Sequence, residues 1–88
     1  MKIAEARRMG EVAGSQHAVS WLLRNEPNRD ELESAIVANS DWENSARMNS
    51  EKVGYGGGKT LERNRKAFET GYVQAAKKEL MRAMGRLP

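Results

Sequence analysis

The chain has 88 residues and no cysteine, and its 15 basic and 12 acidic residues give a formal net charge of +3. This length suffices for one domain, and the lack of cysteine excludes disulfide bonds and thiolate metal sites. No apolar run approaches the ~20 residues of a membrane span, and the N-terminus lacks the apolar segment of a signal peptide. We therefore expect one cytoplasmic domain over residues 1–88, without membrane association.

The first predicted helix covers residues 3–24 and ends before Pro27, which disfavours helical geometry at the residue preceding it. At about 100° per residue, one face of this helix carries Ile3, Ala6, Gly10, Ala13, Gly14, His17 and Trp21. A second face beside it carries Met9, Val12, Gln16, Val19 and Leu23. An ordinary surface helix needs an apolar arc of only about 100°. The wider arc predicts burial against two neighbours and a central position in the fold.

Small residues recur one helical turn apart at both ends of the chain. The two sets are Ala6, Gly10 and Gly14 in the first helix and Ala67, Gly71 and Ala75 near the other end. Glycine inside a helix costs about 1 kcal/mol relative to alanine, so close approach of another helix backbone is the physical reason to expect. We predict that the first and last helices pack through these ridges; the alternative is coincidence in a chain rich in alanine and glycine.

A second helix is predicted from Asn28 onward. Asn28 followed by Glu31 resembles a capping box, in which each side chain bonds the backbone N–H of the other residue. The helix should bury Leu32, Ala35, Ile36 and Asn39, whereas Val37 falls outside that stripe and is expected either to be exposed or to contact a partner.

The next segment allows two interpretations, one long helix over 29–53 or two helices with a kink at 39–41. Ser40 with Glu43 offers another capping box, and the polar cluster at 39–41 competes for backbone hydrogen bonds and favours the kink. We expect Trp42 to be partly exposed and to serve as an anchor in a protein interface.

Residues 54–58 read Gly-Tyr-Gly-Gly-Gly and predict a flexible connector. Gly58-Lys59-Thr60 matches the end of a phosphate-binding loop, but Val53 stands where the first glycine of that loop is required. A nucleotide site is therefore rejected. Anion binding by the glycine-rich backbone and Lys59 is the alternative to a plain hinge.

The last helix is predicted from Leu61 to about Met84, with Thr60 as its cap. Its core stripe consists of Leu61, Phe68, Tyr72 and Ala75, while Leu80, Met84 and Leu87 deviate from that line. No segment alternates with period two over a strand length. We predict an all-α bundle of three or four helices, with the first and last adjacent.

Basic residues follow one line of the last helix, opposite its aromatic core positions. They are Lys59, Arg63, Lys66 and Lys77, with Thr70 between them. Such a line is either a solvated outer face or a surface for phosphates or an acidic protein. Tyr55, just upstream, is the candidate aromatic for contact with a partner.

His17 is the only histidine, and the sequence offers it no evident nucleophile or orienting carboxylate. We expect it to be a packed or interfacial side chain. The acidic residues near helix starts are explained by the helix dipole, so no metal, no cofactor and no enzymatic activity are predicted.

These patterns favour a non-catalytic helical protein that binds and modulates another macromolecule, with a protein as the expected partner. The alternatives are a nucleic-acid-binding protein that uses the last helix, and a structural or assembly subunit that self-associates because its core is small. The Cys-free, Met- and charge-rich composition resembles accessory or inhibitor proteins of phages and mobile elements, which would imply the host cytoplasm. This resemblance rests on composition and covers no specific residues.

Overall fold

Four α-helices make up the part of the chain that the structure describes. This computed structural model describes residues 1–51 and 58–88, and the backbone alone for residues 58–60. The helices are α1 (Ile3–Asn25), α2 (Arg29–Val37), α3 (Asn39–Ser50) and α4 (Gly58–Arg86). The predicted all-α bundle with adjacent first and last helices is confirmed.

The predicted connector at 54–58 lies outside the described residues except for Gly58. Gly58 already belongs to α4, so this helix begins before Thr60, which was expected to cap it.

The central helix is α4, because it contacts each of the other three helices and contacts α1 most extensively. The expectation that the first helix is central is therefore wrong. α1 and α4 run in the same direction, since Gly10 meets Phe68 and Gly14 meets Tyr72 one turn further along both helices. α2 and α3 connect the two long helices and pack mainly on α4.

Glycines let the backbones of α1 and α4 come into direct contact. A Cβ atom placed on Gly10 would lie 2.0 Å from the carbonyl oxygen of Phe68, and one on Gly14 would lie 2.1 Å from that of Tyr72. Both distances are far below a van der Waals contact, so only glycine fits at these two positions.

The other small residues lie along the same contact. A Cβ on Gly71 would lie 2.5 Å from the carbonyl oxygen of Arg7. Ala6 is completely buried, and Ala67 and Ala75 are half-buried. The two predicted ridges therefore interlock with an offset, each glycine facing the backbone of a larger residue.

Buried side chains form two clusters on either side of this contact. The first contains Ala6, Ala46, Phe68 and Tyr72. The second contains Ala18, Leu32, Trp42, Ala76 and Leu80, with Met84 and Leu87 packed against it. The final turns of α4 thus place Leu80, Met84 and Leu87 against residues of α1, α2 and α3. As a consequence Ala76, rather than the predicted Ala75, is the fully buried alanine of this stretch.

The first helix ends at a left-handed residue, Glu26 (φ 43°), whose N–H donates to the carbonyl oxygen of Leu22 at 3.0 Å. The predicted capping box follows and is confirmed. The Asn28 side chain accepts a hydrogen bond from the Glu31 N–H at 2.9 Å, and the Glu31 carboxylate accepts one from the Asn28 N–H at 3.2 Å.

The middle of the chain forms two helices separated at Ala38, so the predicted kink is confirmed. The second capping box is wrong: α3 begins at Asn39, which places Ser40 inside the helix, and no side chain caps its start. The break is bridged instead by Trp42, whose Nε1–H donates to the carbonyl oxygen of Ala35 at 2.8 Å.

Candidate functional site

A row of side chains runs along the outer face of α1 at alternating steps of three and four residues. We call this row the α1 stripe; its members are Met9, Val12, Gln16, Val19 and Leu23. The four apolar members are 37%, 53%, 40% and 75% exposed in chain order, and Gln16 is exposed as well.

The α1 stripe is the second face that was predicted to be buried, and that prediction is wrong. α4 approaches α1 on the opposite face, through Gly10 and Gly14, while α2 and α3 pack mainly on α4. None of the described helices covers the stripe. Exposed apolar residues in one continuous row are typical of surfaces that bind another protein.

A groove of about 590 Å³ between α1 and α3 adjoins the stripe. Gln16 belongs both to the stripe and to the wall of this groove, and the exposed Met48 of α3 forms part of the other wall. Ser20, Arg24 and Ser45 add polar groups to the lining. The stripe and groove together give this side of the molecule an apolar surface with hydrogen-bonding groups along one border.

His17 lies at the floor of this groove and is held by Tyr72. Its Nδ1 lies 2.5 Å from the Tyr72 hydroxyl, which also accepts a hydrogen bond from Asn49 Nδ2 at 3.3 Å. The hydroxyl hydrogen can therefore donate to Nδ1, which leaves the hydrogen of the neutral imidazole on Nε2. Burial, and secondarily the positive charge of Arg24, lowers the pKa of His17, whereas burial raises the pKa of the Tyr72 phenol.

The expected partial exposure of Trp42 is contradicted, because only 5% of this residue is exposed. Its indole packs edge-on against His17, with ring centroids 4.9 Å apart, and against Trp21 at 6.5 Å. Trp42 thus connects α1, α2 and α3 inside the bundle. A buried tryptophan whose Nε1–H donates to the Ala35 carbonyl oxygen is not available as an anchor for a partner.

The predicted basic line on α4 is only partly within the described side chains. Arg63 and Lys66 are exposed, and Lys77 is half-buried. The side chain of Lys59 and the whole of Tyr55 lie outside the described residues. A role of this line in binding stays a prediction.

Charges of both signs lie around Lys66. It shares one surface depression with Arg47, Glu43 and Glu69 and a second one with Arg47, Arg65, Glu51, Glu62 and Glu69. Acidic and basic side chains are equal in number in each depression, so neither presents a net positive charge to a phosphate backbone.

Among the described residues, no group of three or more acidic, histidine or cysteine side chains is arranged to hold a metal ion. Nor is any described helix both long and apolar enough to cross a membrane. Neither a protein family nor a characterised protein nor a solved structure matches this chain.

The sequence predicts the stripe residues as part of the core, whereas the structure leaves them exposed. The signal for a binding surface was present in their spacing, because steps of three and four residues form a narrow seam typical of helix pairing. The contact of His17 with Tyr72 had no such signal, since these residues are far apart in the chain and meet only through the α1–α4 packing.

Proposed function

We propose that this chain is a non-catalytic protein-binding module and that the α1 stripe is its binding surface. The observation that carries the proposal is the exposure of Met9, Val12, Val19 and Leu23 in one row that Gln16 alone interrupts. Burying such a row against a partner removes apolar surface from water, which is the main favourable term in protein association.

The neighbouring groove supports the same function. Its polar groups border the apolar row, as the rim of a protein interface surrounds its apolar centre. The single histidine is already engaged by Tyr72, so its role is more simply explained by packing between α1, α3 and α4 than by catalysis.

Nucleic acid binding by α4 is the alternative function, supported by the exposed side chains of Arg63 and Lys66. The carboxylates beside Lys66 argue against it. If it is correct, reversing Lys59, Arg63, Lys66 and Lys77 to glutamate should abolish binding to duplex DNA. It should also remove a salt dependence of about 0.9 per phosphate contact.

The test of the proposed function is a capture experiment with tagged protein in lysate of the source cells, with and without nuclease. The double variant Val12→Lys, Val19→Lys should lose the captured proteins, because two ammonium groups would be buried in the interface. Thermal melting of the variant should stay close to that of the parent, since both residues are substantially exposed.

Val37→Lys is the matched control, since Val37 is 74% exposed and lies on α2, outside the stripe. This variant should capture the same proteins as the parent. The proposal fails if Val37→Lys loses capture equally, or if the stripe variant retains it. Capture that disappears with nuclease and with the α4 reversals would support the nucleic-acid alternative.

A further inference from the structure

We propose that the α1 stripe binds a second copy of this chain, with the two α1 helices antiparallel, so that the protein is a homodimer. The inference rests on the proposed function in that both use the stripe as a protein-binding surface. It adds the identity of one partner and the direction of its helix.

The spacing of the stripe is that of a heptad repeat. Met9, Gln16 and Leu23 occupy a positions, and Val12 and Val19 occupy d positions. A helix with such a seam packs against another helix with the same repeat. A second copy of α1 offers that repeat, and a two-fold dimer requires only a surface complementary to itself.

Charges at the two ends of the stripe favour the antiparallel direction. Glu5 occupies the d position before Met9, and Arg24 follows Leu23; both charged side chains are exposed. In a parallel pair, Glu5 would face the same carboxylate of the other copy, and like charges repel. In an antiparallel pair, Glu5 lies opposite Leu23 of the other copy and next to Arg24 at both ends of the contact, which brings opposite charges near each other instead.

The length of α1 selects the register. When the direction is reversed, each a position of one helix meets a d position of the other. The register that keeps every layer inside α1 pairs Met9 with Val19, Val12 with Gln16, and Glu5 with Leu23. The register one heptad further would place Met9 opposite Glu26, beyond the last helical residue Asn25.

Gln16 is the single polar residue between Met9 and Leu23 in this seam. In this register Gln16 lies opposite Val12 of the other copy, so the two Gln16 side chains do not face each other. Its amide is uncharged and both donates and accepts hydrogen bonds, so it brings no charge into the seam. A polar residue in a helix seam costs some stability.

The dimensions of the molecule suit such a contact. The α1 stripe runs from Met9 to Leu23, about 21 Å at 1.5 Å per residue, along a protein that is 47 Å long, so two copies can lie side by side over the whole stripe. Small domains with limited cores commonly gain stability from oligomerisation.

The first test is the mass of the purified full chain in solution, measured by sedimentation from micromolar to high micromolar concentration. We expect a concentration-dependent rise from 9.9 kDa to twice that value. Val12→Lys should raise the dissociation constant at least about tenfold, and Val37→Lys should leave it unchanged. Gln16→Leu should tighten the dimer, because leucine adds apolar contact with Val12 of the other copy.

The direction of the helices is tested by cysteine cross-linking, which is clean because the chain has no cysteine of its own. An oxidised mixture of Glu5→Cys and Leu23→Cys proteins should form a disulfide-linked pair between the two variants. Either variant alone should cross-link much more slowly. Rapid cross-linking of Leu23→Cys with itself would overturn the antiparallel arrangement.

The outcomes separate this inference from the proposed function. A mass of 9.9 kDa at every concentration, together with stripe-dependent capture of other proteins, overturns the dimer and leaves the proposed function standing. A dimer that persists unchanged in Val12→Lys overturns the inference, because the contact then lies elsewhere. A stripe-dependent dimer without stripe-dependent capture of other proteins supports the inference and limits the function to self-assembly.

Discussion

Of the two faces of α1, the one with small residues is buried and the one with larger aliphatic residues is exposed. Gly10 and Gly14 are buried against the α4 backbone, although Ile3 on the same face is 47% exposed. The face with Val12, Val19 and Leu23 is exposed. Side-chain apolarity alone would predict the reverse.

The glycines at the contact explain which face of α1 is buried, because they let the backbones of α1 and α4 touch. Helices usually pack with axes 8–10 Å apart, depending on the side chains between them. With glycine at the contact, the α4 backbone comes within reach of many α1 atoms, and the dispersion energy of close packing favours that face. The larger aliphatic residues are left for another molecule.

The largest loss of stability is expected from a substitution in the part of α1 that packs on α4. Gly10→Ala should reduce the free energy of unfolding by about 3 kcal/mol, the upper end of the range for overpacking, because the added Cβ meets a backbone oxygen that cannot rotate away. Thermal unfolding followed by circular dichroism measures the change.

Gly85→Ala is the control for this prediction, because a Cβ at Gly85 meets no atom within 4 Å. Alanine should raise the stability there by up to about 1 kcal/mol through helix propensity. Equal stabilisation by both substitutions would contradict the close approach of α1 and α4.

An intermediate loss of stability is expected at Trp42, whose ring packs against His17 and Trp21 of α1. Trp42→Phe removes the donor to the Ala35 carbonyl and should cost about 1–3 kcal/mol, the range for a buried acceptor left unpaired. Met48→Ala on the same helix should change stability by less than about 0.5 kcal/mol, because Met48 is exposed. Chemical denaturation measures the free energy of unfolding of both variants. If Trp42→Phe keeps full stability but no longer captures a partner, Trp42 is an interface anchor after all.

The smallest expected effect is a pH dependence of stability that arises from His17. Because the pKa of His17 is lowered in the folded protein, the unfolded chain binds the proton first as the pH falls. The contribution of neutral His17 to the free energy of unfolding is therefore complete above the ordinary pKa of 6.5. It is lost as the pH falls from there towards the pKa of His17 in the folded protein.

Denaturant unfolding of the parent and of His17→Gln at about pH 7.5 and pH 5.5, on either side of the ordinary histidine pKa, measures this contribution. The parent should lose more stability than the variant between the two values. An identical loss would assign the pH dependence to other groups.

Much of the architecture followed from local chemistry. Asn28 and Glu31 could be assigned to a capping box because both bonds form between residues three apart. The ridge glycines also marked a close helix contact, since glycine inside a helix has few other physical reasons. Trp42 was misassigned, because its burial depends on His17 and Trp21 of another helix and on a carbonyl beyond the α2–α3 break.

The helical segments and the two ridges could be predicted from the sequence, because periodicity, capping and glycine placement act over a few residues, and the choice between one helix and two over 29–53 was made by the break at Ala38. Which face of α1 remains exposed depends on tertiary contacts. Both faces carry apolar residues, and one of them is covered because Phe68 and Tyr72 present their backbones to Gly10 and Gly14. That contact joins residues distant in the chain, and it places α4 at the centre and the α1 stripe on the surface.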